Sequence, residues 1–379
     1  MTLPYVPHDL LIYILMTLPV KSLIRFKCVC KFWFSLISDP KFADSHFELT
    51  SATHTHRILS ISSCSPLQIR SIDFESSLLN NHSDSLFNFS LPPDIRIRGS
   101  CRGFIYLQCS SNIYLCNPST GLYKQIPLSP FDTKLIKHHF DHLYGFGYDW
   151  SRDDYLVVSL SYDPTVDYIS PNFEFFSLRD NTWKQIEMEG THYYYVISVN
   201  DHGKLGVLFN GAIHWLAFCY ELKVFVIAAF DLMERKLLDI PLPDDFDHQD
   251  AYSGLWVSQE FLSLWARKDC DQYLIWVMKD SKLHSSWTKT LLLRTDHNAI
   301  PNFSPVCSAK NGDIIGTNGA TGLVKYNNKG QLLEHRLNYN SVGSKGVLCT
   351  ESLLSLPGDR EQDDTNKNEV LKYSPSPFA

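Results

Sequence analysis

The stretch from Pro4 to Phe47, PYVPHDLLIYILMTLPVKSLIRFKCVCKFWFSLISDPKFADSHF, predicts three short helices. Apolar residues recur along each helix at helical spacing: Leu10, Leu11, Ile14, Leu15 and Leu18 in the first, Val20, Leu23 and Ile24 in the second, and Val29, Phe32, Trp33, Leu36 and Ile37 in the third. Pro7 and Pro19 suit first helical turns, and Asp39-Pro40 is expected to end the third helix. About 40 residues is roughly the lower limit for a domain that folds unaided. The apolar face is therefore made either for another protein or for the rest of this chain.

The composition of the whole chain describes an ordinary globular protein. Its 379 residues are 44% hydrophobic and 20% charged, enough for one large domain plus a small module. A net charge of −7 argues against nucleic-acid binding as the main task. The charge reverses locally, because Lys21, Arg25, Lys27 and Lys31 lie in the predicted helices. They form either a solvated helix face or a surface that steers an acidic partner.

The chain shows no recognisable secretory or membrane segment. Met1 is not followed by a basic region and an unbroken apolar run, and nothing approaches the roughly 18 apolar residues of a membrane helix. No membrane partner is therefore expected. The ten cysteines are scattered, which without a signal indicates reduced thiols in the cytoplasm or nucleus. Cys28 and Cys30 are expected to face the core.

A five-residue phrase recurs through the rest of the chain. Leu122–Ile126 is echoed by Thr182–Ile186, and weaker copies begin at Lys236, Ser286 and Gln331. The successive spacings are 60, 54, 50 and 45 residues, close to the ~40–50 residues of a propeller blade. Each copy closes a set of short alternating runs joined by turns, as strands of one blade would be.

These sets predict an all-β propeller of about six blades. Strand groups at 57–74 and 346–356 are left over, and pairing them closes the ring without an exposed edge. An irregular β-sandwich is the alternative. The segment from Asn80 to Ser90 is expected to be a surface loop. The domain limits are thus 1–48 for the helices, 49–96 for a linker with ring-closing strands, 97–357 for the propeller and 358–379 for a disordered tail.

Residues with the chemistry of a catalytic or metal site are few. His138–His142 brings ligand-type side chains together, but in a predicted loop without a further ligand, so no metal is expected. No phosphate-binding loop, nucleophile elbow or metalloprotease motif is present. Asp153-Asp154 and Asp244-Asp245 are interpreted as turn formers, since adjacent strand residues point to opposite faces. We therefore assign no catalytic residue and no cofactor.

Aromatic residues are abundant, with 8 Trp, 19 Tyr and 23 Phe. Most fall in predicted strands, where Trp183, Trp215, Trp276 and Trp287 are expected in blade cores. Tyr193, Tyr194 and Tyr252 fall in predicted loops, and exposed aromatic loops at one end of a propeller suit recognition of a partner. Packing within the fold is the alternative for each of the three.

The first stretch resembles a plant F-box. The resemblance rests on Val6-Pro7, Leu10-Leu11, Leu18–Leu23, Lys27–Trp33 and Leu36–Phe42, although Phe32 takes the place of the usual small polar residue. F-boxes dock on the adaptor subunit of SCF (cullin-RING) ubiquitin ligases. The resemblance implies that the adaptor is contacted by Pro7, Leu10, Leu11, Ile14, Leu15, Leu18, Pro19, Val20, Leu23, Val29 and Trp33.

The body of the chain resembles the F-box-associated domain that follows plant F-boxes, a kelch-like propeller. The matching features are Gly99–Gly103, Asn117-Pro118, Gly145–Tyr148 and Gly211–Trp215. Together the two resemblances imply a non-catalytic substrate-recognition subunit of an SCF ubiquitin ligase. The F-box would hold the adaptor, and through it a cullin, while the propeller binds an unidentified target protein. A ligand- or glycan-binding propeller with a helical cap, and a scaffold outside any ligase, are the alternatives.

Overall fold

The computed structural model places four short helices before six β-sheets. The helices are α1 (His8–Met16), α2 (Val20–Phe26), α3 (Lys31–Ile37) and α4 (Pro40–Leu49). The structure describes residues 7–50, 53, 55–61, 69–75, 78, 84–87, 92, 94–110, 112–130, 142–161, 172–186, 193–194, 205–219, 223–246, 252–269, 272–279, 287–294, 303–318, 322–337 and 346–357.

The fourth helix corrects the prediction of three. Asp39-Pro40 does end α3, but it also begins α4. The Asp39 carboxylate accepts the N–H of Lys41 at 2.7 Å, and Pro40 occupies the first turn, where its missing N–H costs nothing. Cys30 begins α3 in a similar way, since its sulfur accepts the N–H of Trp33 at 3.5 Å.

Helix α4 supplies the inner surface that the first three helices need. It buries Phe42, Ala43 and His46, and it contacts both α1 and α3. The Nε2 atom of His46 lies 2.8 Å from the carbonyl oxygen of Leu18, just after α1. Burial lowers the pKa of His46, although this hydrogen bond opposes the shift.

The six sheets are the blades of a propeller, which confirms the predicted architecture. Blade 1 contains β4 (Arg96–Cys101), β5 (Phe104–Gln108), β6 (Ile113–Cys116) and β7 (Tyr123–Ile126). Blade 2 contains β8 (His142–Asp149), β9 (Asp154–Ser161), β10 (Asn172–Ser177) and β11 (Thr182–Gln185). Blade 3 contains β12 (Tyr193–Tyr194), β13 (Val207–Phe209), β14 (Ala212–Cys219), β15 (Val224–Asp231) and β16 (Lys236–Pro241).

The remaining three blades complete the ring. Blade 4 contains β17 (Ser253–Ser258), β18 (Phe261–Asp269), β19 (Gln272–Met278) and β20 (Trp287–Arg294). Blade 5 contains β21 (Phe303–Ser308), β22 (Ile314–Asn318), β23 (Gly322–Tyr326) and β24 (Leu332–Leu337). Blade 6 joins β25 (Val347–Thr350) to β1 (His56–Ile61), β2 (Ile69–Ile72) and β3 (Asp84–Phe87).

Strand β25 closes the ring in the way the sequence predicts. It pairs antiparallel with β1, from His56 opposite Thr350 to Leu59 opposite Val347. The innermost strands of successive blades contact one another, among them β25 with β4, β4 with β8 and β17 with β21, so the sheets are arranged around an axis rather than as a sandwich. The predicted surface loop at Asn80–Ser90 is wrong, because Asp84–Phe87 forms β3 and pairs with β2.

The recurring phrase is the outermost strand of a blade. Its copies form β7, β11, β16, β20 and β24, each at the outer edge of its sheet. Trp215 and Trp276 lie on inner strands and are 1% and 2% exposed, as expected for blade cores. The same expectation is wrong for Trp183 and Trp287, which are half-buried because they lie on the outermost strands β11 and β20.

The two ends of the propeller differ. In blade 1, β4 runs toward the turn at Arg102-Gly103, which contacts Glu48 of α4. Because the strands of a blade alternate in direction, the turns between first and second strands and between third and fourth strands lie at this helical end. Several adopt left-handed backbone: Arg102, Asp153, Asn181, Asn210, Arg235 and Gln259. Strand ends such as Gln108, Ser161 and Cys219 lie at the opposite end.

Candidate protein-binding surfaces

The helices leave a large apolar surface exposed. Leu10 is 55% exposed, Tyr13 66%, Ile14 50%, Val29 61% and Phe34 57%. The opposite side of the same helices is sealed, because Leu15, Leu23 and Phe42 share one hydrophobic cluster with Phe104 and Leu353 of the propeller. The helices therefore have two apolar sides, and the β body covers only one. Exposed apolar patches rimmed by polar residues mark interaction sites.

The eleven residues predicted to bind the adaptor differ in how far their side chains are buried. Five are exposed: Pro7, Leu10, Ile14, Pro19 and Val29. Three are half-buried: Leu11, Leu18 and Trp33. Three are buried: Leu15, Val20 and Leu23. The buried three form the core beneath the surface, so a partner that leaves the helices intact reaches the other eight.

Sequence reasoning missed two aromatic residues of this surface. Tyr13 lies three residues after Leu10 and next to Ile14, so the three share one face of α1. Phe34 projects from α3, and neighbouring Phe32 packs on the ring of His8 with 4.4 Å between ring centroids. The available signal was the width of the apolar pattern in α1, which is too broad for one buried stripe.

Basic side chains and two thiols accompany the apolar surface. Lys21, Arg25 and Lys31 are exposed, whereas Lys27 is half-buried and burial lowers its pKa. Cys28 and Cys30 are exposed free thiols, so the prediction that they face the core is wrong. The reason is local: the N–H of Val29 bonds to the carbonyl of Phe26 in a turn between α2 and α3, and that turn lies at the surface.

The three tyrosines predicted to contact a target belong to the end of the propeller away from the helices. Tyr193 and Tyr194 form β12 rather than a loop, and Tyr193 pairs with Cys219 at the far end of β14. Their side chains lie outside the described residues. Tyr252, just before β17, is half-buried beneath Arg267, whose guanidinium carbon lies 3.9 Å from the ring centroid.

Blade 3 carries a shallow groove at the same end. Its volume is about 390 Å³, and its walls are mostly apolar, with Asp239 and Asp244 also in the lining. The apolar lining includes Val224, Phe225, Val226, Pro241, Leu242, Pro243 and Phe246. The turn that contains Asp244-Asp245 is closed by a 3.0 Å hydrogen bond from the N–H of Phe246 to the carbonyl of Pro243, in agreement with the interpretation of these acids as turn formers.

Within the described residues there is no group of side chains able to hold a metal ion, and no helix long and apolar enough to cross a membrane. The segment His138–His142, where no metal is expected, lies outside the described residues, except for the backbone of His142 in β8.

The described residues thus form a helical module with one exposed apolar side, packed on its other side against one end of a closed six-bladed propeller. The model of the F-box associated beta propeller domain matches residues 49–350, and that of the F-box domain matches residues 3–44. The chain therefore belongs to the F-box-associated β-propeller family and carries an F-box before the propeller.

Curated plant F-box proteins match most of the length of this chain. F-box protein CPR1 of Arabidopsis thaliana is 28% identical over 306 residues, which cover 76% of this chain and 73% of the relative. An F-box/kelch-repeat protein of the same plant is 26% identical over 333 residues, or 85% and 87% of the two chains. Among solved structures, TolB from Acinetobacter baumannii gives a TM-score of 0.46 at 11% identity, covering 82% of this chain and 72% of TolB.

Proposed function

We propose that this chain is the substrate-recognition subunit of an SCF (cullin-RING) ubiquitin ligase. The F-box binds the adaptor subunit, and through it a cullin, while the propeller binds a target protein. The observation that carries the proposal is the exposure of Leu10, Ile14 and Val29 on helices whose other side is already packed. The implied place of action is the cytoplasm or nucleus.

The apolar surface offers enough energy for a specific interface. Full burial of a large apolar side chain gains about 1.5–3 kcal/mol, and each side chain here is about half exposed, so each gains roughly half of that. Association entropy consumes much of the total, so several such residues must act together. Lys21, Arg25 and Lys31 beside the patch favour an acidic adaptor surface and raise the association rate.

The opposite end of the propeller is the target-binding end in this proposal. The helices occupy one end, and Tyr252, the backbone of Tyr193 and Tyr194, and the blade 3 groove lie at the other. This chain contributes no covalent step. It brings the target close to the catalytic arm of the ligase, so proximity accounts for its part in ubiquitin transfer. In this proposal residues 1–48 bind the adaptor and residues 97–357 bind the target. Residues 49–96 supply three strands of blade 6.

The test is a pull-down with the purified SCF adaptor. Leu18→Asp combined with Pro19→Ala, and separately Ile14→Asp combined with Val29→Asp, are expected to abolish adaptor binding while the propeller keeps its melting transition. Leu238→Asp is the matched control, because Leu238 is 55% exposed on β16, the outermost strand of blade 3. Undiminished adaptor binding by both double variants would refute the proposal.

A reconstituted ligase separates a receptor from a scaffold. With adaptor, cullin, RING subunit, conjugating enzyme and ubiquitin present, a receptor directs ubiquitin to proteins that co-purify with the propeller. Proximity labelling by a chain that lacks residues 1–48 supplies those candidates, because their degradation is then blocked. A chain that binds the adaptor but directs no modification acts as a scaffold.

A further inference from the structure

Arg102 occupies the joint between the helices and the propeller. It lies at the tip of the turn between β4 and β5, with a left-handed φ of 48°. Its side chain is only 8% exposed. The guanidinium carbon lies 4.7 Å from the ring centroid of Phe47 in α4 and 4.4 Å from those of Tyr148 and Trp150 in blade 2. A single cation is therefore in contact with aromatic rings from both parts of the molecule.

Two carboxylates of α4 bind the same guanidinium. Its Nη1 donates to Oε1 of Glu48 at 3.0 Å, and its Nη2 lies 3.7 Å from Oδ1 of Asp44. Asp44 and Glu48 are four residues apart, so they lie one turn apart on the same face of the helix. Burial raises the pKa of Asp44, and the charge of Arg102 opposes that shift. The planar fork of an arginine presents its donors to the two carboxylates in a fixed geometry, whereas the ammonium of a lysine is a point charge on a flexible stem.

The backbone beneath Arg102 is itself fixed. The Ser352 hydroxyl donates to the carbonyl of Arg102 at 3.2 Å, and the Asn117 amide donates to the carbonyls of Ser352 at 3.1 Å and Leu354 at 2.9 Å. Gly103 leaves room for this approach, since a Cβ atom there would lie 2.0 Å from the Ser352 hydroxyl oxygen. The backbone of the turn is therefore already ordered, and it directs the side chain of Arg102 toward α4.

We propose that Arg102 is a positioning residue that fixes the orientation of the F-box relative to the propeller. This inference rests on the proposed function, because the orientation matters when ubiquitin must reach a target held at the far end. A fixed joint holds the target at one distance from the catalytic arm, whereas a loose joint spreads the acceptor lysines over many positions and lowers the effective concentration of each.

The first experiment measures orientation without a ligase. Genetically encoded spin labels replace Ser35 on α3 and Lys310 on blade 5, both exposed, and electron-electron resonance gives the distribution of distances between them. The wild-type distribution is expected to be narrow, and Arg102→Ala should at least double its width. Arg102→Lys should give an intermediate width, because the charge remains but the fork is lost. Lys329→Ala, on an exposed turn at the same end, is the control.

Glu48→Gln tests the same ion pair from α4, so its result does not depend on how Arg102→Ala affects the folding of the turn. It leaves the propeller untouched and removes the closest ion pair of Arg102, so it should also widen the distribution while the melting transition of the propeller stays in place. Unchanged widths in both Arg102→Ala and Glu48→Gln would overturn the inference.

The second experiment uses the reconstituted ligase and maps ubiquitin on the receptor's own lysines by mass spectrometry. The wild type is expected to be modified at a restricted set. With equal adaptor affinity, Arg102→Ala should spread modification among lysines at both ends, such as Lys223 and Lys268 at one and Lys184 and Lys329 at the other. An identical pattern at equal adaptor affinity would contradict a positioning role. If the wild-type chain does not bind the adaptor, the proposed function is refuted, but the distance measurement still tests the role of Arg102 in orientation.

Discussion

The indole N–H of Trp183 in blade 2 donates to the carbonyl of Pro127, just after the outermost strand of blade 1, at 3.0 Å. Trp287 in blade 4 repeats this bond with Pro241 at the end of the outermost strand of blade 3, at 2.9 Å. Both tryptophans belong to copies of the phrase that recurs in the sequence. Two of the five copies therefore supply a hydrogen bond between neighbouring blades as well as a strand.

Replacement of either tryptophan by phenylalanine removes the donor and keeps an aromatic ring. Trp183→Phe and Trp287→Phe should each lower the free energy of unfolding by about 1 kcal/mol, the net worth of one hydrogen bond. Since the two bonds share no partners, the double variant should lose about the sum. Urea denaturation followed by circular dichroism measures all three variants. A double variant no less stable than either single one would contradict independent links between blades.

Leu23 and Ile14 distinguish core from surface within the F-box. Leu23 is 0% exposed, so Leu23→Ala should destabilise the helices by about 2–5 kcal/mol through lost burial and a cavity. Ile14 is 50% exposed, and Ile14→Ala should cost less than about 1 kcal/mol. Hydrogen exchange of the α1 to α4 amides reports this difference directly. The reverse order of protection would show that the buried side of the helices is assigned wrongly.

Asn117 and Asn327 begin equivalent turns between the third and fourth strands of blades 1 and 5, and they differ in burial. Asn117 is 0% exposed and donates to two buried carbonyls of the C-terminal segment. Asn117→Ala should cost about 2–4 kcal/mol because those carbonyls lose their partner away from water. Asn327 bonds only within its own exposed turn, so Asn327→Ala should cost less than about 1 kcal/mol. Thermal unfolding compares the two, and equal losses would contradict a special role for the segment after β25.

His214 predicts a dependence of stability on pH. It is 5% exposed in β14, and burial lowers its pKa from 6.5 to about 4, against the opposing effect of hydrogen bonds to backbone carbonyls. As pH falls below about 6.5, the unfolded chain takes up the proton first, so stability is full above that pH and declines toward pH 4. His214→Gln should flatten this decline. Urea midpoints between pH 7.5 and 4.5 provide the measurement, and parallel curves for wild type and His214→Gln would contradict the prediction.

Much of the propeller could be predicted because its strands alternate regularly and its turns carry strong signals. The tight hairpin at Asn210-Gly211 has positive φ at both residues, as the sequence indicates. Strand β3 could not be found in this way. Its four residues, Asp84–Phe87, lie among serines and asparagines, and their pairing with β2 comes from the neighbouring strand rather than from local preference.

The helices show a similar limit. Apolar spacing located α1, but it could not tell Leu10 and Ile14, which are exposed, from Leu11 and Leu15, which lie toward the core. That division depends on α4 and the propeller, which cover one side only. Helix α4 was missed because Asp-Pro is both a common stop and a common start, and the side-chain bond from Asp39 to the Lys41 N–H distinguishes them only in three dimensions.

The pairing of β25 with β1 joins residues almost 300 positions apart, and this has a consequence for synthesis on the ribosome. The F-box leaves the ribosome before the propeller does. The inner edge of β1, the strand that follows the F-box, stays uncovered until β25 has been translated. Until then β1 presents unpaired backbone that other chains can join. Nascent molecules stalled before Val347 should thus be ready substrates for chaperones, and early termination there should yield aggregates rather than a shortened folded protein.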